Sequence, residues 1–210
     1  MSAAREEILS RIRGALGGTT SLPVRDPVQK RYRYAGALSP ADRIELFIEC
    51  LHDYEATIHR ASAQEVATTV AKALEARGKR GLLVPLGIRT EWLPPGFLFE
   101  RDTELSYDEI DRSEGVLTGC AVAVALTGTI VLRHSENEGR RALTLIPDYH
   151  LCVVYEQQVV ETVPEAMEQM SAYAGSPITT ISGPSATSDI EMTRVKGVHG
   201  PRALEVILVS

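Results

Sequence analysis

The sequence predicts an α/β protein with a mainly parallel, mixed sheet and an N-terminal helical arm. Amphipathic helix patterns alternate with short apolar, β-branched runs through most of the chain, the arrangement that builds a parallel sheet between helices. Residues 120–132 add a hairpin: Val and Ala alternate at period two, Thr127-Gly128 turns the chain, and a second β-branched run follows. That antiparallel pair makes the sheet mixed. Residues 1–16 form a separate helical pattern, cut off from the rest by a proline-containing stretch.

Each element follows from local signals. Ile8, Leu9, Ile12, Ala15 and Leu16 share one helical face, and Gly17-Gly18 stops that helix. Such a helix either packs on the body of the protein or docks on a partner subunit. The linker, residues 19–38, holds Pro23, Pro27 and the run Lys30-Arg31-Tyr32-Arg33-Tyr34. Basic residues interleaved with tyrosines suit nucleic acid, but the acidic balance of the chain favours a solvated connector. Ser39-Pro40 supplies an N-cap and first-turn proline for a helix with the stripe Ile44, Phe47, Ile48 and Leu51. Ser62 and Glu65 form a capping box before Val66, Val70, Ala73 and Leu74, and Gly78 closes that helix. Residues 56–60, 81–85, 97–101, 150–155, 177–182 and 203–209 read as strands, and 164–173 as a helix opened by Pro164.

Composition bounds the class. With 210 residues and 22.9 kDa, the chain makes one large domain, or one domain plus an arm. We expect an arm and linker at 1–38 and a body at 39–210. Apolar residues at 44% and charged residues at 24% exclude disorder, collagen and coiled coil as whole-chain descriptions. A net charge of −6 gives no support for nucleic-acid binding. Cys50, Cys120 and Cys152 are widely separated and form no C-x-x-C, so neither a disulfide scaffold, a zinc site nor an iron–sulfur motif is expected. Charges at Arg5, Glu6, Glu7, Arg11 and Arg13 break any secretory signal, and the longest strongly apolar run, 120–126, is far too short to span a bilayer. The expectation is a soluble cytoplasmic protein.

Five segments carry candidate chemistry. A strand ending at Ser182, a Gly183-Pro184 turn and a helix beginning near Ser185 would present free N–H groups to an anion, with Ser188 one turn on. Ligands of open α/β sheets also gather at the carboxyl ends of strands. The same pattern reads as an ordinary capped helix with Asp189 and Glu191 complementing its dipole. Thr127-Gly128-Thr129 combines close backbone approach with two hydroxyls, or is simply the hairpin turn. His199, between Gly197 and Gly200, is either an acid–base group or a turn-fixing side chain. Arg133, His134, Asn137, Arg140 and Arg141 form a basic loop that either clamps an anion or is solvated. His150 opens a strand, where it could stand near a ligand. No metal-ligand spacing, Walker A loop, G-x-S-x-G elbow or G-x-G-x-x-G fingerprint occurs.

Taken in order, Thr127-Gly128-Thr129, Leu145-Ile146-Pro147 with His150, Ser182-Gly183-Pro184-Ser185 through Asp189-Ile190-Glu191, and Gly197-Val198-His199-Gly200-Pro201 resemble the LUD-domain family. The similarity runs from about residue 37 to 210 and is densest from 115 onward. The resemblance implies a three-layer α/β sandwich like that of the NagB/RpiA/CoA-transferase group. It also implies a role in oxidising L-lactate to pyruvate beside iron–sulfur partner proteins, which carry the clusters while this chain holds no cofactor. Read together, the motifs and the resemblance nominate His199, Asp189 and Glu191 as catalytic candidates. Thr127, Gly128, Thr129, Ser182, Gly183, Ser185, Ser188, Arg140 and His150 are nominated for an anion. Ala121 and Leu126 stand where relatives often carry acids, and Ala186 where they often carry arginine, which weakens an anion clamp at that loop. The alternatives are a stand-alone isomerase or transferase acting on a sugar phosphate, CoA ester or folate, and a non-catalytic regulatory binding module.

Overall fold

The computed structural model describes residues 3–16, 33–173, 175–188, 194–196 and 199–210. The chain divides into two units, Met1–Tyr32 and Arg33–Ser210. In the first, helix α1 (Ala3–Leu16) carries a Glu7–Arg11 ion pair of 2.6 Å at i,i+4 spacing. The expected stop at Gly17-Gly18 lies outside the described residues.

The second unit is built on a six-stranded parallel sheet in the order β1-β12-β7-β4-β2-β3. Its strands are β1 (Thr57–Ala61), β2 (Gly81–Val84), β3 (Leu98–Arg101), β4 (Val116–Thr118), β7 (Tyr149–Tyr155) and β12 (Ala203–Val209). A parallel strand covered on both faces reads as a near-continuous apolar run, and β7 and β12 do. Alternate residues then serve opposite faces. Leu204, Val206 and Leu208 join Cys152 and Val154 in one core; Ile207 and Val209 join Leu151 and Val153 in the other.

Helix α3 (Val66–Ala76) covers the second of these faces through Val66, Val70, Ala73 and Leu74. Its entry is fixed by Glu65, whose carboxylate accepts from the N–H and hydroxyl of Ser62 at 3.0 and 2.7 Å. Gly78, in left-handed conformation, lets the Lys79 N–H return to the carbonyl of Leu74. Helix α2 (Pro40–Asp53) covers the other face with Ile44, Phe47 and Leu51, and Ser39 caps it as expected.

Beside α2 lies a second sheet in the order β8-β5-β6-β9, made of β5 (Val122–Val124), β6 (Thr129–Leu132), β8 (Val159–Val160) and β9 (Thr179–Ile181). β5 and β6 are the expected hairpin, and β5 also pairs in parallel with β8, so the mixed pairing resides here while the main sheet is wholly parallel. At the hairpin turn Gly128 has φ 54°, and a Cβ there would stand 2.9 Å from the Cys50 Cβ of α2. Helix α5 (Val163–Ser171) covers the outer face of this sheet with Ala166 and Met170. The four-residue-scale elements β4, β8 and α4 (Tyr107–Asp111) were not expected, being too short to show a period.

One expectation is corrected. No helix begins near Ser185. Residues Ala186–Ser188 form β10, antiparallel to β11 (Arg194–Lys196), with Ser188 opposite Arg194. Ser185 sends its N–H to the carbonyl of Pro201 at 2.8 Å, and its hydroxyl accepts the N–H of His199 at 3.0 Å. Its polar groups are thus satisfied across the chain rather than by a following helical turn.

Candidate functional site

A pocket of about 130 Å³ opens where the β9–β10 connection crosses the amino ends of β7 and β12. The open-sheet rule placed ligands at the carboxyl ends of strands. Here the pocket lies at the amino ends of β7 and β12, and β9 ends into it. Its wall includes His150, Ser182, Gly183, Ser185 and His199, together with Arg141, Thr144 and Thr180.

His150 is the second residue of β7 and is fully buried. Its Nε2 lies 2.7 Å from the Thr118 hydroxyl on the neighbouring strand β4. Its Nδ1 has no hydrogen-bond partner among the described residues. Behind it the Thr118 hydroxyl reaches the Cys152 sulfur at 3.8 Å, and the Cys152 thiol donates to the carbonyl of Gly119 at 3.6 Å. The neighbouring Cys152 thiol and burial together push the Cys120 thiol well above its ordinary value. Cys120 behind the pocket is therefore a neutral thiol, whereas hydrogen bonds from Cys120, His150 and Thr118 draw the Cys152 thiol below its ordinary value.

The arginines of the 133–141 loop separate cleanly. Arg140 is bound by Asp102 through Nε at 2.7 Å and a terminal nitrogen at 2.9 Å, and it also donates to the carbonyl of Leu105. The fold's own carboxylate occupies Arg140, and it does not line the pocket. Arg133 lies 3.8 Å from the Glu138 carboxylate and 4.1 Å over the Tyr173 ring. His134 bridges the Gly139 carbonyl and the Thr179 hydroxyl at 3.0 and 2.9 Å. Arg141 is different. It is half-buried, it donates to the carbonyl and hydroxyl of Thr144 at 3.1 and 3.3 Å, and among the described residues no carboxylate pairs with it. Burial alone lowers its guanidinium from the ordinary value.

Thr127, Gly128 and Thr129 stay out of the pocket wall and support it. The Thr127 and Thr129 hydroxyls are 2.7 Å apart, and Thr129 lies 2.7 Å from the Ser182 hydroxyl. Gly183, at φ 83°, seats the loop against α2: a Cβ there would stand 2.4 Å from that of Tyr54. His199 is exposed at the rim. Asp189 and Glu191 lie outside the described residues, as do Gly197 and Val198. The side chain of Ser188 is likewise outside them. Sequence reasoning placed Arg141 in the basic loop without singling it out, and missed Thr118, Thr144 and Thr180. Among the described residues no three of His, Cys, Asp and Glu gather as a metal group, and no helix is long and apolar enough to cross a membrane.

A parallel α/β body with a small polar pocket at the amino ends of two central strands defines the class. The sequence matches the family model of the LUD domain over residues 44–209, and the chain belongs to the LUD-domain family. It is 46% identical to lactate utilization protein C of Deinococcus radiodurans over 210 residues, covering 99% of this chain and 96% of that protein. It is 28% identical to the uncharacterized protein YkgG of Escherichia coli over 94% of each chain. Among solved structures it is similar to a DUF162-family protein from Deinococcus radiodurans, with a TM-score of 0.73, 44% identity, and coverage of 83% of this chain and all of that one.

Proposed function

We propose that the chain is a subunit of a cytoplasmic lactate-utilization system, supporting the oxidation of L-lactate to pyruvate. The observation that carries this is its 46% identity, over nearly the full length of both chains, to a protein named for lactate utilization. In this reading, iron–sulfur partner proteins take the two electrons that leave the substrate. The chain itself holds no cluster and contributes its pocket and docking surfaces.

The pocket volume of about 130 Å³ is close to that of an engineered cavity of about 150 Å³ that holds one benzene, a size that suits a small acid such as lactate. The polar wall weighs against a purely regulatory module with an apolar face.

The test is purification of the tagged chain from its own host under anaerobic conditions, followed by dye reduction with L-lactate. The expected result is co-purification of brown iron–sulfur proteins whose lactate-dependent rate falls when this chain is depleted. An unchanged rate without the chain overturns the reading.

A further inference from the structure

We propose that the pocket at the amino ends of β7 and β12 binds one small monocarboxylate, paired with Arg141 and hydrogen-bonded by His150. The inference deepens the proposed function at its own pocket, and rests on that reading only for the choice of L-lactate and pyruvate among the probes.

Four observations converge. First, His150 is fully buried, lines the pocket, and has one nitrogen committed to Thr118 while Nδ1 has no partner among the described residues. A buried polar atom without a partner costs free energy, and native folds rarely leave one unless something else fills the place. Second, Arg141 is a half-buried cation lining the same pocket, with no carboxylate among the described residues to neutralise it. The neighbouring arginine of the loop shows the contrast, since Asp102 grips Arg140 in two places. Arg141 is also held in place by the carbonyl and hydroxyl of Thr144, so its guanidinium is fixed before any ligand arrives.

Third, the pocket lining offers hydroxyls, Ser182 and Ser185, whose positions are set by the fold. Ser182 is tied to Thr129 at 2.7 Å, and Ser185 already accepts the N–H of His199. They suit a neutral hydroxyl or carbonyl on the ligand better than a second charge. Fourth, the volume of about 130 Å³ admits a molecule of about six heavy atoms. One cation, one imidazole and a few hydroxyls match one carboxylate with a short polar tail. A phosphate dianion or a tricarboxylate would ask for further cations.

The experiment is calorimetric titration of the full chain with acetate, L-lactate, pyruvate, citrate and inorganic phosphate, repeated on Arg141→Gln, Arg141→Lys and His150→Asn. Melting curves are recorded for each variant. The expected result is saturable binding of one monocarboxylate per chain, weakened at least tenfold in Arg141→Gln, less in Arg141→Lys, with the melting temperature of the arginine variants close to the parent. If buried His150→Asn fails to fold, the ¹⁵N signal of the His150 Nδ1 is followed instead, and it shifts on titration. Three results overturn the proposal: no carboxylate binds, Arg141→Gln binds as the parent does, or phosphate or citrate binds more tightly than the monocarboxylates. A chain that binds monocarboxylates but co-purifies with no iron–sulfur protein supports the site while overturning the subunit role. One that co-purifies yet binds none overturns the site alone.

Discussion

The guanidinium of Arg140 grips the carboxylate of Asp102 in two places, joining the 133–141 loop to the carboxyl end of β3. The hydrogen bond from Arg140 holds the Asp102 carboxyl below its ordinary value. A carboxyl lowered in the folded state contributes stability above its unfolded pKa and loses it as pH falls through the folded one. Arg140→Ala leaves Asp102, 8% exposed, without its main partner. The expected loss is about 1–3 kcal/mol at neutral pH, shrinking in acid. Melting temperatures of both proteins from pH 7 to pH 3 check it; a constant gap across that range counts against it.

Gly128→Ala tests the hairpin. The added Cβ meets the Cys50 Cβ and its backbone carbon at 2.9 and 3.0 Å, in a left-handed conformation. A loss of at least about 2 kcal/mol follows from strain and clash together. Thermal unfolding should then fall by several degrees.

The segment before α2 is strapped down by two acids, Glu161 and Glu165, the latter accepting the Gly36 N–H at 3.0 Å. Buried Glu161 accepts from the N–H groups of Ala37 and Leu38 at 2.6 and 2.7 Å, and from Arg33. Glu161→Ala should free residues 33–38 and speed limited tryptic cleavage after Arg33. Unchanged cleavage would show that other contacts hold the strap.

Cys50 provides a chemical probe. Burial first, then Asp53 and Glu49, raise its thiol above the ordinary value. Alkylation near neutral pH should be slower than for a free cysteine, rise as pH climbs through that raised range, and quicken in Asp53→Asn. Cys120 and Cys152 are buried and should react after it. Mass spectrometry of time points reads all three.

Much of the fold was legible because its signals are local. Ser39-Pro40 caps α2, Val66 to Leu74 repeats at helical spacing, and β7 and β12 are unbroken apolar runs. Ser185 misled because a serine after Gly-Pro, followed by acids, looks like a helix cap. Its true partners, His199 and Pro201, lie beyond an intervening hairpin. The pocket was half legible for the same reason. Ser182, Ser185, His150 and His199 stand out by type and position. Arg141 could not be told from Arg140, since the distinguishing carboxylate, Asp102, comes from a remote segment. Thr118 sits on a strand of three residues that leaves no period to read.

The place of β12 has a consequence for how a nascent chain matures. β1 has a single hydrogen-bonded neighbour in the sheet, and that neighbour is β12, with Thr57 opposite Glu205. A ribosome that has already made β1 through β7 still holds a first strand with no place in the sheet, an open edge of the kind chaperones cover. Gly200, Pro201 and Leu204, which complete the pocket wall, arrive in the same stretch. The sheet and the pocket are therefore completed together, and a chain truncated before β12 leaves β1 unpaired and the pocket wall unfinished.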